Sequence, residues 1–394
     1  MGKSPVELRA YVDGPDAVTG RPFMDEVLDA IAKPLTADET ATIDFDRDSP
    51  RLLAPDTEDS LHELFLEKNW TDKLPIVLPT EERVEAMLAG TSHSPDEIVG
   101  QMRPTSTREA WQYSVEKVAI NAVMAGARPQ FFPVILALAA SQVSARASTT
   151  SSAAAMAVVN GPIRHEIEMN SGVGAMGPYN LANATIGRAY SLLSQNLQGG
   201  SVPLVTYLGS QGNNYAYNSI CFAENEERSP WDPLHVQKGF EKDQSAVSCF
   251  SGNRSTSFLL GLREKHWETH VQQLMRGVNP HHFPCFVLDP ITADQFVERG
   301  GFDNVEKLKD WIHENATMKA GVYWDYQLIE NYVHPKALLG VEPYATMLEA
   351  DEDEEIRIWP RDKINVVVVG GETNGYWRIF GNGYGKTVSV DDWR

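Results

Sequence analysis

The chain has 394 residues, of which 42% are hydrophobic and 22% are charged, so it contains enough apolar material for a large core in one or two domains. Its 34 basic and 54 acidic residues give a formal net charge of −20, which repels nucleic-acid phosphates and anionic membrane surfaces. We therefore expect neither nucleic acid nor a membrane as a partner. No apolar leader follows Met1, and the three cysteines lie far apart without a CxxC pair, which favours the cytoplasm.

The order of the predicted elements favours an α/β fold. Residues 1–55 mix proline, aspartate and short apolar patches and predict an N-terminal arm, whereas residues 56–394 predict one α/β catalytic body. Helical spacing of apolar residues predicts helices near Leu61 to Phe65, after an N-cap at Thr80, and over residues 111–125, 258–275, 292–299 and 305–316. Apolar runs predict strands over residues 155–159, 203–208, 285–288 and 364–369. This alternation predicts a mixed, partly parallel sheet with flanking helices.

The string GVGAMG, from Gly172 to Gly177, matches the letters of a dinucleotide-binding fingerprint. That fingerprint requires its glycines directly after a strand, but here a short helix that begins near Pro162 intervenes, and no acidic ribose-binding residue follows at the expected distance. NAD is therefore not expected. The small residues instead predict the floor of a pocket, with Gly174 and Gly177 in contact with a substrate.

A helix is predicted to start after this loop, at Pro178 or Asn180, and to carry one apolar face. Gly187 and Asn183 lie on another face of that helix, and two interpretations of the glycine stay open. It allows either close packing of a neighbouring segment, or a pocket in which N–H groups and the helix dipole hold an anionic or carbonyl group. The residues of the apolar face are Ile186, Ala189, Tyr190, Leu193 and Leu197.

Polar side chains suited to chemistry are concentrated in two stretches, residues 160–170 and 221–235. Glu224 follows the apolar string CFA, so we expect it to be partly buried and to act as a general acid or base. His165 and Glu166 are further candidate catalytic residues. A set drawn from His165, Glu224 and His235 is a candidate for a divalent metal, although its spacing matches no metal signature. A salt-bridged surface is an equally good interpretation of each residue taken alone.

Four phrases of the sequence resemble a poorly characterised bacterial family whose members are associated with small partner proteins that carry a UGSC or CGSC thiol or selenol motif. They are WTDKLPIVLPTEERVEAMLAG, VEKVAINAVMAGARP, the stretch from VVNGPIRHEI to ANATIGRAY, and CFAENEERSPWDPLHV. The resemblance implies an enzyme or enzyme subunit of small-molecule metabolism. It points to six site residues, Asn160, Asn183, Arg188, Glu224, Asn225 and Trp231. The chain departs from the family pattern at Ala127, where relatives have cysteine, and at Thr292, where they have histidine.

Together these observations predict a cytosolic lyase or hydrolase that performs acid–base chemistry on a small polar or anionic substrate. Glu224 would transfer the proton, Asn183 and Asn225 would orient the substrate, and Arg188 or the helix start after Gly177 would hold a negative group. One alternative is a redox subunit that works with the thiol or selenol of a partner protein, and another is a non-catalytic binding subunit. A homo-oligomer is expected, and the sequence fixes no cofactor.

Overall fold

The computed structural model describes residues 5–36, 51–102, 111–146, 153–198, 203–205, 207, 209, 211–213 and 216–394, with residues 5, 8 and 253–257 described by their backbone alone. The chain divides into two units, Met1–Asp56 and Thr57–Arg394. The smaller unit contains helices α1 (Pro5–Val12) and α2 (Phe23–Ala32), and in the turn between them the Asp16 carboxylate accepts hydrogen bonds from two backbone amides. Residues 1–4 and 37–50 of the predicted arm lie outside the described residues.

Several helices of the larger unit begin at a residue whose side chain caps the helix. The Thr80 side chain accepts a hydrogen bond from the Arg83 amide and Asn180 accepts one from the Asn183 amide, so both predicted helix starts are confirmed. The helices are α3 (Glu58–Glu67), α4 (Glu81–Leu88), α5 (Val115–Met124), α6 (Phe132–Ala140), α7 (Ile163–Glu166), α8 (Leu181–Leu197), α9 (Leu234–Gln237), α10 (Trp267–Arg276), α11 (Pro290–Gly300), α12 (Val305–Asn315), α13 (Ala320–Trp324), α14 (Gln327–Tyr332), α15 (His334–Leu338) and α16 (Tyr344–Leu348). No helix within the described ranges is long and apolar enough to cross a membrane.

The main sheet has six strands in the order β4-β3-β5-β10-β6-β9. Two neighbouring pairs, β3 with β4 and β6 with β9, are parallel, and the remaining pairs are antiparallel. The predicted α/β fold with a mixed, partly parallel sheet and flanking helices is therefore confirmed. The strands are β1 (Ile98–Gln101), β2 (Gln112–Ser114), β3 (Ala155–Asn160), β4 (Ile220–Ala223), β5 (Ala246–Leu260), β6 (Phe283–Leu288), β7 (Thr317–Lys319), β8 (Glu355–Arg357), β9 (Asn365–Val368) and β10 (Tyr376–Ser389).

The two halves of this sheet share one topology. In the first half, β3 is flanked by the parallel strand β4 and the antiparallel strand β5. In the second half, β6 is flanked in the same way by β9 and β10. The long antiparallel pair β5 and β10 joins the halves at the centre of the sheet. The sequence shows no obvious internal repeat, so this duplication becomes visible only in the strand pairing.

The sheet curls until its two edge strands meet. Beyond the end of β4, the Asn225 amide donates to the Val368 carbonyl of β9 at 2.8 Å, and the Asn225 side chain donates to the Gly370 carbonyl at 2.9 Å. Because side chains alternate between the faces of a strand, all six strands contribute to one apolar cluster on the inner face. The outer faces pack against helices in two further clusters, one for each half. The inner cluster contains Met156, Val158, Ile220, Phe222, Phe250, Cys285, Val287, Val367, Val369 and Phe380, together with Ala175 from the glycine-rich loop and Leu234 at the start of α9.

Three sequence predictions of secondary structure need correction. Residues 258–275 do not form one helix, because β5 continues to Leu260 and α10 begins only after His266, which has a left-handed backbone. The predicted strand at residues 203–208 contains a turn at 204–205, although 206 and 208 lie outside the described residues. The helix predicted from residue 111 starts at Val115, since residues 112–114 pair with β1.

Candidate active site

A cavity of about 210 Å³ opens where the parallel strands β6 and β9 end and β10 begins. The glycine-rich loop of residues 173–177 forms one wall, and residues 369–371, which follow β9, form another. Asp289, Tyr376 and Arg378 provide polar side chains in its lining. Ligands of α/β proteins commonly bind in the crevice beyond the carboxyl ends of parallel strands, so this position is typical of a functional site.

The glycine-rich loop is held in place by a network of backbone and side-chain hydrogen bonds. Gly174 has a φ of 75°, which a residue with a Cβ rarely adopts, and its carbonyl accepts a hydrogen bond from the Gly177 amide at 2.8 Å. The Asn183 side chain donates to the carbonyls of Asn170 and Ala175 and accepts from the Asn170 amide. Gly174 and Gly177 thus line the cavity, as the prediction of a pocket floor requires. Asn183 does not line it, and instead holds the loop through hydrogen bonds to the loop backbone.

Asp289 follows the last residue of β6 and caps helix α11. Its Oδ1 atom accepts a hydrogen bond from the Thr292 amide at 2.8 Å. Its Oδ2 atom is buried and has no hydrogen-bond partner among the described residues, and the residue is only 4% exposed. Burial raises the pKa of this carboxyl group above its ordinary value, although the amides of Thr292, Tyr376 and Gly375 oppose the shift. The cavity wall therefore contains a buried carboxyl group with one oxygen that accepts no hydrogen bond within the described residues.

Arg378 supplies a positive charge to the same cavity. Its Nη2 atom donates to the Tyr376 hydroxyl at 2.9 Å, and its guanidinium lies 5.0 Å from the centre of the Tyr376 ring. Both residues lie on β10, two positions apart, so their side chains project from the same face of the strand. Arg378 forms no ion pair with any carboxylate in the described part of the chain, and an arginine in this state is suited to hold an anionic group.

A second polar cluster lies at the carboxyl ends of β3 and β4. The Asn160 side chain donates to Glu224 Oε2 at 2.6 Å and to Glu226 Oε1 at 3.0 Å. Glu226 Oε1 also accepts from the Gly161 amide at 2.8 Å and pairs with Arg164 Nε at 3.0 Å. The predicted residues Asn160 and Glu224 are thus brought together, in a cluster that is almost completely closed to solvent.

Glu224 does not line the cavity and is only 1% exposed. Besides Asn160, its carboxylate accepts from the Leu234 amide at 2.8 Å and the Val368 amide at 3.4 Å, so it links β3, β9 and the start of α9. Burial raises its pKa to about 7, more than these donors lower it. The sequence predicted a partly buried carboxyl group, and the structure buries it almost completely. However, its oxygen atoms are already occupied by internal hydrogen bonds.

The raised pKa of Glu224 predicts a loss of stability as the pH rises. Glu224 loses its proton near pH 4.5 in the unfolded chain but only near pH 7 in the folded protein. The stabilisation that the neutral carboxyl group gives the folded state is therefore complete below pH 4.5 and is lost as the pH rises through 7. The loss is on the order of 3 kcal/mol. Because Glu224→Gln stays neutral, its free energy of unfolding should change less than that of the wild type between pH 5 and 8. Urea titrations measure this, with the surface variant Glu166→Gln as control; parallel profiles of wild type and Glu224→Gln would contradict the prediction.

The predicted metal set His165, Glu224 and His235 is not assembled. His165 lies on the surface and its Nε2 atom contacts Glu227 at 2.9 Å, whereas the Glu224 carboxylate is enclosed in the internal bonds described above. His235 is fully buried, and neither ring nitrogen has a hydrogen-bond partner within the described ranges. In the part of the chain that the structure describes, no three His, Cys, Asp or Glu side chains are grouped so that they could hold a metal ion.

Four other predicted site residues do not line the cavity and make structural contacts, although Asn225 bonds to the backbone of Gly370 in the cavity wall. Arg188 forms a two-bond ion pair with Asp72, with both distances 2.9 Å, so it is not available as the predicted anion holder. Trp231 donates its indole N–H to the Phe302 carbonyl inside the apolar core. Glu166 pairs with Arg394 on the surface, and Asn225 closes the sheet through Gly370.

Sequence reasoning missed Asp289 and Arg378, because neither stands in a recognisable motif. The sequence does contain one pattern that points to Asp289. VVNGPI, ending at Ile163, and VLDPI, ending at Ile291, both place a short polar residue between a buried strand and a proline. Comparison with protein-family models, with curated proteins and with solved structures finds no match to this chain. The resemblance to the family with UGSC-type partners therefore stays a prediction, and the function must be inferred from the geometry of this cavity.

Proposed function

We propose that this protein is an enzyme of small-molecule metabolism that performs acid–base chemistry, of the lyase or hydrolase type, in the cavity between the glycine-rich loop and β10. The observation that carries the proposal is the Asp289 carboxyl group, which is buried in the cavity wall with one oxygen unpaired. We assign to Asp289 the role of proton carrier that the sequence favoured for Glu224. The Glu224 oxygens already accept internal hydrogen bonds, whereas Asp289 lines the cavity and its Oδ2 atom accepts none within the described residues.

Burial raises the pKa of the Asp289 carboxyl group, so its carboxylate is a stronger base than that of an ordinary surface aspartate. The hydrogen bond from the Thr292 amide fixes the orientation of the carboxyl group without using its second oxygen. Asp289 would then exchange a proton with the substrate, and Arg378 would hold an anionic group of the same molecule.

The test is turnover of a defined panel of small hydroxy, amino and keto acids and their amides and esters. Proton NMR of the panel, incubated with the protein in heavy water, detects hydrolysis, elimination and proton exchange together. Asp289→Asn is expected to lower the rate by about a hundredfold or more, because general acid–base catalysis typically contributes at least this factor. Asparagine is as good an N-cap as aspartate, so helix α11 and the fold should be preserved.

Asp294→Asn is the matched control. Asp294 lies on the same helix, is partly exposed and pairs with Arg228 at 3.1 Å, and neither residue lines the cavity. Its replacement should leave the rate unchanged. Equal rates for Asp289→Asn and wild type would refute the role of Asp289, and a wild-type protein that converts no member of the panel would count in favour of a binding subunit.

A redox reaction with a borrowed thiol or selenol is the second proposal from the sequence, and no contact among the described residues favours it over proton transfer. The chain's own Cys221, Cys249 and Cys285 are free and buried, and burial raises the pKa of each thiol. They are therefore poorly suited to act as nucleophiles. Free thiols also support our proposal of a cytoplasmic location.

A further inference from the structure

The cavity borders the inner apolar cluster of the curled sheet. Val287 and Val369 belong to that cluster and also line the cavity. Met176 of the glycine-rich loop packs against the same cluster and lines the cavity as well. A Cβ at Gly371 would overlap the Val173 side chain, so the space beside this glycine is filled with hydrocarbon. Much of the surface that the cavity offers to a ligand is therefore apolar.

Several polar groups in the lining are already bonded within the protein. The Gly370 amide donates to the Ser171 carbonyl at 2.8 Å, and the Gly370 carbonyl accepts from the Asn225 side chain at 2.9 Å. The Thr373 hydroxyl donates to the Asn374 side chain at 3.2 Å. The glycine-rich loop uses its backbone groups in the hydrogen bonds described above. A hydroxyl or amide group on a ligand would lose its water here without finding these groups free, and that loss weakens binding.

Arg378 is the one cationic side chain among the described residues that line the cavity, and its guanidinium keeps unused donors. Its Nη2 atom donates to the Tyr376 hydroxyl, and the remaining guanidinium nitrogen atoms donate to no described residue. Arginine binds a carboxylate through two parallel hydrogen bonds. The carboxyl group of Asp289 in the same lining opposes more than one negative charge on a ligand, which favours a carboxylate over a phosphate.

Apolar surface also continues beside the cavity, on the neighbouring strand β5. In the ladder of β5 and β10, Phe258 pairs with Arg378 and Leu260 pairs with Tyr376, so these side chains share one face of the sheet. The rings of Phe258 and Tyr376 are stacked, with their centres 4.6 Å apart. Phe258 is 50% exposed and Leu260 is 54% exposed. A ligand held by Arg378 therefore has apolar surface both in the cavity and next to it.

We propose that the cavity binds a small carboxylic acid with a branched hydrocarbon body, with the carboxylate on Arg378 and the hydrocarbon against Val287, Val369 and Met176. This inference names the substrate class of the proposed acid–base site and rests on that proposed function. Val287 pairs with Arg378 across β6 and β10, so the apolar surface begins next to the carboxylate. The cavity volume of about 210 Å³ corresponds to roughly seven water molecules, the size of an acid of about five carbons.

Ligand-observed NMR titrations of the full chain at neutral pH, with four matched probes, test the proposal. Isovalerate has the branched body and the carboxylate. β-Hydroxybutyrate replaces one of its methyl groups with a hydroxyl, acetate lacks the body, and isoamyl alcohol lacks the charge. Isovalerate is expected to bind about ten to a hundred times more tightly than β-hydroxybutyrate, and about ten times or more tightly than acetate and isoamyl alcohol. Equal or tighter binding of β-hydroxybutyrate or isoamyl alcohol, or no saturable binding of isovalerate, would overturn the proposal.

Two variants assign the two ends of the ligand. Arg378→Gln should bring the affinities of isovalerate and isoamyl alcohol together. Val287→Thr places a hydroxyl in the apolar wall and should reduce the preference for isovalerate over β-hydroxybutyrate several-fold. Val366→Thr is the matched control, because Val366 is similarly buried but packs in the outer cluster, and it should keep both wild-type ratios. If Arg378→Gln keeps the preference for the acid over the alcohol, or a folded Val287→Thr keeps the preference over β-hydroxybutyrate, the proposal fails.

Binding and turnover are separate readouts, so this inference and the proposed function can fail independently. Selective binding of isovalerate without turnover of any panel compound would contradict the enzyme and preserve the ligand class. Turnover confined to panel compounds without a hydrocarbon body, blocked by Asp289→Asn, would preserve the enzyme and contradict the ligand class.

Discussion

Replacing Gly187 with alanine is expected to destabilise the protein by about 3 kcal/mol or more, at the upper end of the cost of overpacking a core. A Cβ at this position would overlap the carbonyl oxygen of Asn218 and lie 3.0 Å from the Cβ of Cys221, at the point where α8 packs against the segment entering β4. The obstacle is backbone, so it cannot rotate away. The gain of about 1 kcal/mol from alanine's better helix propensity does not offset this overlap.

Chemical unfolding of Gly187→Ala measures the effect, and Gly172→Ala is the matched control. A Cβ at Gly172 would meet only the Asn170 side chain, at an ordinary distance of 3.7 Å. Its free energy of unfolding should therefore stay within about 1 kcal/mol of the wild type. If both variants are equally stable, the close approach of α8 and the β4 segment is not required for the fold. The geometry favours close packing over the pocket that the sequence left open for Gly187.

Replacing Arg188 with methionine is expected to cost about 3–5 kcal/mol, the penalty for leaving a buried charge without its partner. The Asp72 side chain is fully buried, and Arg188 gives it two hydrogen bonds of 2.9 Å while also donating to the Pro75 carbonyl. The pair connects α8 to the segment that follows α3. Urea unfolding at neutral pH provides the measurement.

The double variant Arg188→Met with Asp72→Asn supplies the control. Asparagine removes the stranded charge and keeps an oxygen to accept from the Leu74 amide, which Asp72 Oδ1 does at 3.1 Å. The double variant should therefore be more stable than Arg188→Met alone. If the single variant also lowers turnover while its fold is intact, Arg188 would regain the role of anion holder that the sequence suggested.

Local features of the sequence predicted much of the fold. The apolar stripe of α8, its N-cap at Asn180 and the buried strand β3 depend on residues within a few positions of each other, so periodicity and capping chemistry identify them. The failure at residues 258–275 has a physical reason. β5 is paired along its length with β10, more than a hundred residues later in the chain, and this pairing outweighs the helical spacing of the apolar residues.

The candidate site was predictable only in part, because it joins distant segments. The loop containing Gly174 was identified from its composition, but the wall opposite comes from Asp289, Gly371 and Arg378. Proximity of those segments follows from strand order and sheet closure, which local patterns do not encode. The apolar string before Glu224 predicted its partial burial, but the neighbours Asn160 and Leu234 donate hydrogen bonds to the oxygens that catalysis would need.

The position of β10 has a consequence for synthesis on the ribosome. β10 is the last strand of the sheet to be made, and it lies between β5 and β6, so it joins strands that are otherwise two separate groups. Until β10 emerges, the backbone N–H and C=O groups of β5 and β6 that pair with it have no partner strand. The residues of the inner apolar cluster are then divided between two unjoined groups of strands. Unpaired strand edges recruit other strands, so this protein should depend on chaperones until its last strand is complete.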